Sequence, residues 1–150
     1  MVNIPFIHTL LSSLKAADRT AEIFSYRFPL DFAFSKNRKY MYRRSKRFNP
    51  AYAKNMKTVA DRVAKDIANF PKQKTWIIMR VMKQNHRGDA INFIEGVCDA
   101  IKRTVNFDDN YFSVICDWEI DKADPRLEIY IFQESTLPLF AGIDNINKFV

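Results

Sequence analysis

The run TWIIMRVM, Thr75 to Met82, constrains this chain more than any other stretch. It is dense in β-forming residues and has no polar alternation, so it reads as an inner strand of a sheet. An inner strand needs neighbours, and the flanking stretches offer them. Ile23, Phe24, Tyr26 and Phe28, closed by Pro29, form an extended run suited to an edge or first strand. Beyond residue 110, YFSVICDWEI and RLEIYIF flank the turn-rich DKADP, a pattern that predicts a β-hairpin. Phe112, Val114, Cys116, Trp118 and Ile120 alternate with other residues, which predicts one buried face, with Asp117 and Glu119 pointing away.

Two helical patterns accompany the strands. From Ala51 to about Phe70, apolar Tyr52, Met56, Val59, Val63, Ile67 and Phe70 recur every three or four residues, and Pro71 stops the helix. Lys54, Lys57, Arg62 and Lys65 line its other side as ordinary solvation. Gly88 to Asp109 carries a second helix, with an apolar stripe of Ile91, Ile94, Val97, Cys98 and Ile101. Phe6, Leu10, Leu11 and Leu14 are spaced for an N-terminal helix, either against the body or facing a partner. Strands and helices mixed in this order imply an α+β fold, a mixed sheet with helices packed on it.

At 150 residues the chain suits one domain with a sizeable core. Its net charge of +7 and pI near 9.5 favour a polyanion as partner, nucleic acid first and acidic lipid second. No segment approaches the ~20 apolar residues of a membrane span, and the N-terminal stretch lacks the marks of a secretory signal. Cys98 and Cys116 show neither CxxC nor Cys/His metal spacing, so buried reduced thiols in a cytosolic protein are expected.

Two stretches carry chemistry. In SKNRKYMYRRSKRFNP, from Ser35 to Pro50, the cations Lys36, Arg38, Lys39, Arg43, Arg44, Lys46 and Arg47 are interleaved with Tyr40, Tyr42 and Phe48. Such a run grips phosphates while its aromatics stack on unpaired bases; the alternatives are a flexible charged loop or a localisation signal. In the second stretch, Asp89 precedes the helix, Glu95 and Asp99 lie four apart on it, and Asp108 and Asp109 follow it. Converging carboxylates call for a hard divalent cation, magnesium or manganese. Read alone, the same acids also fit a solvated helix face and a self-satisfied turn. His86 is either an exposed loop residue or a phosphate contact.

Together these pieces resemble the RusA family of phage and prophage Holliday junction resolvases. Phe28-Pro29 and Ser35-Lys36-Asn37-Arg38 match the family's first strand and its Ser-x-Asn-Arg loop. Asp89-Ala90-Ile91-Asn92, Asp99-Ala100 and Asp108-Asp109 follow its signature in order. Arg126-Leu127-Glu128 looks like the family's end. The likeness covers about residues 22–134, a nuclease domain between an N-terminal arm (1–21) and a C-terminal tail (135–150). It departs at Ile91, where the family usually has a second aspartate, and at Glu95, where it often has a lysine. Glu95, one turn on, could offer an oxygen near the vacated position, in which case the lysine's role passes to Lys102, Arg103 or the basic loop, or goes unfilled.

The resemblance implies a magnesium-dependent, homodimeric endonuclease acting on four-way DNA junctions in the cytoplasm of a bacterial host. Asp89, Asp108, Asp109 and Asp99 would hold metal, with Glu95 beside them in catalysis. Ser35, Asn37, Arg38, Lys39, Arg43, Arg44, Lys46 and Arg47 would contact DNA. A non-catalytic branched-DNA-binding relative and a basic protein-interaction module are the alternatives.

Overall fold

The computed structural model describes residues 23–42 and 46–135, the side chains of 41–48 excepted. Expectations for the N-terminal arm, the end of the chain, Arg43 and Arg44 lie outside the described residues, as do those for the side chains of Lys46 and Arg47.

The fold is α+β. Strands β1 (Phe24–Pro29), β4 (Thr75–Lys83), β5 (Phe112–Ile120) and β6 (Arg126–Gln133) form one mixed sheet in the order β1-β6-β4-β5. Strand β4 runs parallel to β5 and antiparallel to β6, and β6 is antiparallel to β1. A small antiparallel pair, β2 (Tyr40–Tyr42) with β3 (Lys46–Phe48), stands apart from it. Helices α1 (Pro50–Ile67) and α2 (Ile94–Lys102) pack against each other and on the main sheet. Neither is long and apolar enough to cross a membrane.

Every residue of β4 is buried, Arg80 and Lys83 included, as befits an inner strand. Ile77, Met79 and Val81 enter the core beneath the helices. The alternate residues Trp76, Ile78, Arg80 and Met82 belong to the opposite face and are buried as well.

Helix α1 begins where local chemistry allows it. Asn49 accepts the amide of Ala51 at 3.0 Å, Pro50 occupies the first turn without needing a donor, and Tyr52, Met56, Val59, Val63 and Ile67 form the buried stripe. The extended run at residues 21–34 is a strand only through Pro29. Asp31 then accepts the amide of Ala33 and starts a 3-10 turn, Phe32–Phe34. Phe34 from that turn is buried against α2 at Gly96, where an added Cβ would come within 2.6 Å of its ring. Only glycine admits so close an approach.

Three expectations are corrected here. Strands β5 and β6 do not form a hairpin, because β4 lies between them. The segment 121–125 crosses the end of β4 instead: the Asp121 amide donates to the Lys83 carbonyl at 2.8 Å, and Asp121 Oδ1 accepts the amides of Ala123 and Asp124. Five residues reach up to ~17 Å, ample for two strand spacings of ~10 Å in all. Asp117 does not point to solvent. It is buried, its Oδ1 accepting the amide of Trp118, while Glu119 is exposed as expected. Ile91 does not belong to the apolar stripe: residues Ala90–Phe93 form a 3-10 turn with a different period from α2, and Ile91 is 63% exposed.

Candidate nucleic-acid and cation site

The basic turn and the acidic helix, 56 or more residues apart in sequence, meet. Ser35 caps a 3-10 turn, Lys36–Arg38, by accepting the amide of Asn37 at 3.4 Å. Ser35 is itself buried, so it shapes this turn, while Lys36, Asn37 and Arg38 stand exposed. The turn delivers Lys39 to the polar face of α2. Its ammonium donates to Glu95 Oε1 at 2.5 Å and to Asp99 Oδ2 at 3.3 Å. The Glu95 hydrogen bond, foremost, and Asp99 raise the Lys39 pKa well above its ordinary value against an opposing effect of burial. The same ammonium lies 5.6 Å from the ring of Tyr40 and 6.0 Å from that of Tyr52, whose hydroxyl burial pushes up to about 12.

A second carboxylate pair sits beyond the C-terminal end of α2. Lys102 Nζ is 2.7 Å from Asp108 Oδ1 and 4.0 Å from Asp109 Oδ2. The Lys102 hydrogen bond, then the Asp109 amide donating at 2.9 Å, hold the Asp108 carboxyl below the usual carboxylate range. Lys102 is raised in return. Cys98, next to Asp99 on α2, has its thiol pushed up to about 12, by burial first and then by Asp99 and Asp109.

Asp89 is placed elsewhere. It lines a cavity with Lys83, His86, Ile94 and Trp118, at the opposite end of α2 from Asp108 and Asp109. Nine helical residues separate the two ends, roughly 13 Å along the axis. The structure thus pairs Glu95 with Asp99 and Asp108 with Asp109, and it does not gather Asp89 with Asp109. Among the described residues no three His, Cys, Asp or Glu side chains converge as a metal cluster.

The donor chemistry still fits a hard cation held by two carboxylates. Each pair already shares one ammonium, and magnesium is commonly bound by one or two carboxylates, with waters and phosphate oxygens completing its shell. Lys102 could be singled out in sequence as a replacement for the missing lysine. The contact of Lys39 with Glu95 carries no sequence signal, and neither does the cavity formed by Lys83 and Trp118.

No protein-family model matches the chain, and no curated protein matches it. A search of solved structures finds the periplasmic domain of Helicobacter pylori MotB at 18% identity and a TM-score of 0.43, covering 85% of this chain and 91% of that one. A likeness this slight bears on neither fold nor function.

Proposed function

We propose that this chain is a RusA-like, magnesium-dependent endonuclease acting on branched DNA. The observation that carries the reading is the placement of the SKNRK turn on the acidic face of α2, with Lys39 between Glu95 and Asp99. A phosphate-gripping element and a cation-attracting element become one surface. Exposed Lys36, Asn37 and Arg38 bind backbone phosphates, so affinity rests on charge and specificity on junction shape. Glu95 and Asp99 would hold one cation, and Asp108 with Asp109 would offer a second position; Asp89, at the far end of α2, stands apart from both. Magnesium bound there would lower the pKa of a water and neutralise charge on the scissile phosphate. A homodimer would present two such surfaces to a twofold substrate.

A second reading is a non-catalytic branched-DNA binder, favoured by the separation of Asp89 from the other acids and by Ile91 in a ligand position. A synthetic four-way junction titrated with magnesium and manganese separates the two. Metal-dependent nicking that Asp99→Asn and Asp109→Asn each abolish supports the enzyme. Tight, salt-sensitive junction binding without nicking supports the second reading. Equal binding to junction and linear duplex sinks both.

A further inference from the structure

Lys83 ends β4 with its charge inside the molecule, the residue being 4% exposed. Its ammonium donates to the Gly88 carbonyl at 2.9 Å and stands 4.3 Å from the centre of the Trp118 ring. Among the described residues no carboxylate pairs with it, whereas Lys39, Lys102 and Arg126 each have two or more. A buried cation without a counter-charge is costly unless an anion arrives.

There is room for one. Lys83 and Trp118, with His86, Asp89, Ile91 and Cys116, line a cavity of about 470 Å³. That size falls within the ~300–1,000 Å³ of small-molecule sites. The lining is divided. Lys83 and His86 supply nitrogen donors, while Trp118 and the exposed Ile91 supply flat and apolar surface. His86 meets Trp118 edge-on, the ring centres 5.8 Å apart, so the imidazole and the ammonium flank one indole.

We infer that this cavity binds one unpaired nucleotide of a nucleic-acid chain, its phosphate on Lys83 and His86 and its base against Trp118 and Ile91. The anion answers the buried charge, and the base answers the aromatic and apolar surface. Asp89 repels phosphate from its part of the cavity and accepts from an exocyclic amino group, which orients the ligand and favours amino-bearing bases. The inference rests on the reading of this chain as a nucleic-acid-binding protein. It adds a contact separate from the SKNRK turn, at the Asp89 end of α2, for a base that a junction frees from stacking.

The full chain is titrated calorimetrically with deoxyadenosine 5′-monophosphate, deoxyadenosine and inorganic phosphate. The nucleotide should bind at least tenfold more tightly than either fragment, and Lys83→Gln should weaken it tenfold or more with the fold retained by circular dichroism. Should Lys83→Gln not fold, His86→Ala, on an exposed loop, decides through a several-fold loss. Phosphate binding as tightly as the nucleotide, affinity unmoved in these variants, or no binding at all each overturns the inference. Junction binding measured in the same buffer tells two failures apart: intact junction binding without nucleotide binding removes this cavity alone, and loss of both removes the proposed function too.

Discussion

Replacing Lys39 by methionine tests the joint between the basic turn and α2. Methionine keeps most of the side chain's apolar length and removes the ammonium alone. An exposed ion pair contributes ~0–1 kcal/mol and breaking a buried one costs ~3–5 kcal/mol. Lys39 is only 13% exposed at its side chain, but Glu95 and Asp99 are 45% and 33% exposed, so the loss falls between, at about 1–2 kcal/mol. The repulsion left between Glu95 and Asp99, four apart on α2, adds ~0.2–0.5 kcal/mol. For a chain of this length each kcal/mol moves the melting temperature ~2–4 °C, so a fall of roughly 2–10 °C is expected by calorimetry at neutral pH. Because the folded pKa of Lys39 is raised, its contribution is complete below the ordinary value of 10.5 and disappears only as pH climbs through the folded value. The gap between wild type and variant should therefore stay constant from pH 7 to about pH 10 and close above it. Magnesium supplies the decisive arm, since at ten times its dissociation constant a bound ion adds ~1.4 kcal/mol. It should stabilise the variant more than the wild type, in which the ammonium competes. A variant melting within about 1 °C of wild type, with magnesium moving both equally, refutes the reasoning.

Gly96→Ala would press a methyl group into Phe34, 2.6 Å from Cε1, and should cost ~1–3 kcal/mol in urea unfolding; Phe34→Leu in the same chain should recover part of that loss, and additive losses would deny the contact. The Cys98 and Cys116 thiols, pushed up to about 12 and about 11 mainly by burial, should resist a disulfide exchange reagent at pH 8 in the native protein and react at once in denaturant. Since folding holds their protons, their contribution to stability is whole below the ordinary thiol value of 9.0 and declines as pH rises beyond it. Junction DNA, by drawing Lys39 toward phosphate, should lower the magnesium concentration needed for half-saturation, and junction affinity must then rise with magnesium by the same factor; independent titrations would contradict the shared surface.

The sequence made the elements legible where the physics is local. The buried stripe of α1 lies at the predicted positions from Tyr52 to Ile67, between an asparagine cap and a proline stop. The β-forming run of β4 announced an inner strand. Pairing was not legible. A five-residue, turn-rich connector reads as a hairpin, yet β4 needs a hydrogen-bonding neighbour on each side, and that demand inserts it between β5 and β6. Asp117 was misplaced for the same reason, because alternation along β5 says which residues share a face and not whether the opposite face meets water.

The acids were visible as a set, but not which cation each one faces. That is fixed by chain reversal: Ser35 shapes a turn, and Lys39 just after it reaches Glu95 from 56 positions away. A basic chain that spends two lysines on its own carboxylates lowers the repulsion an acidic helix face would otherwise suffer, and it keeps that face available. Both ammonium groups lie at rims open to solvent on the acidic side, since Glu95, Asp99, Asp108 and Asp109 all keep a third or more of their side chains exposed. An exposed ion pair is weak and exchangeable. A phosphate approaching Lys36 and Arg38 competes for the neighbouring Lys39, and each carboxylate so released becomes a better ligand for a divalent ion. The lysines thus hold the positions that metal and DNA would divide between them, which is why the loss of Lys39 should read out as a change in magnesium response and not in stability alone.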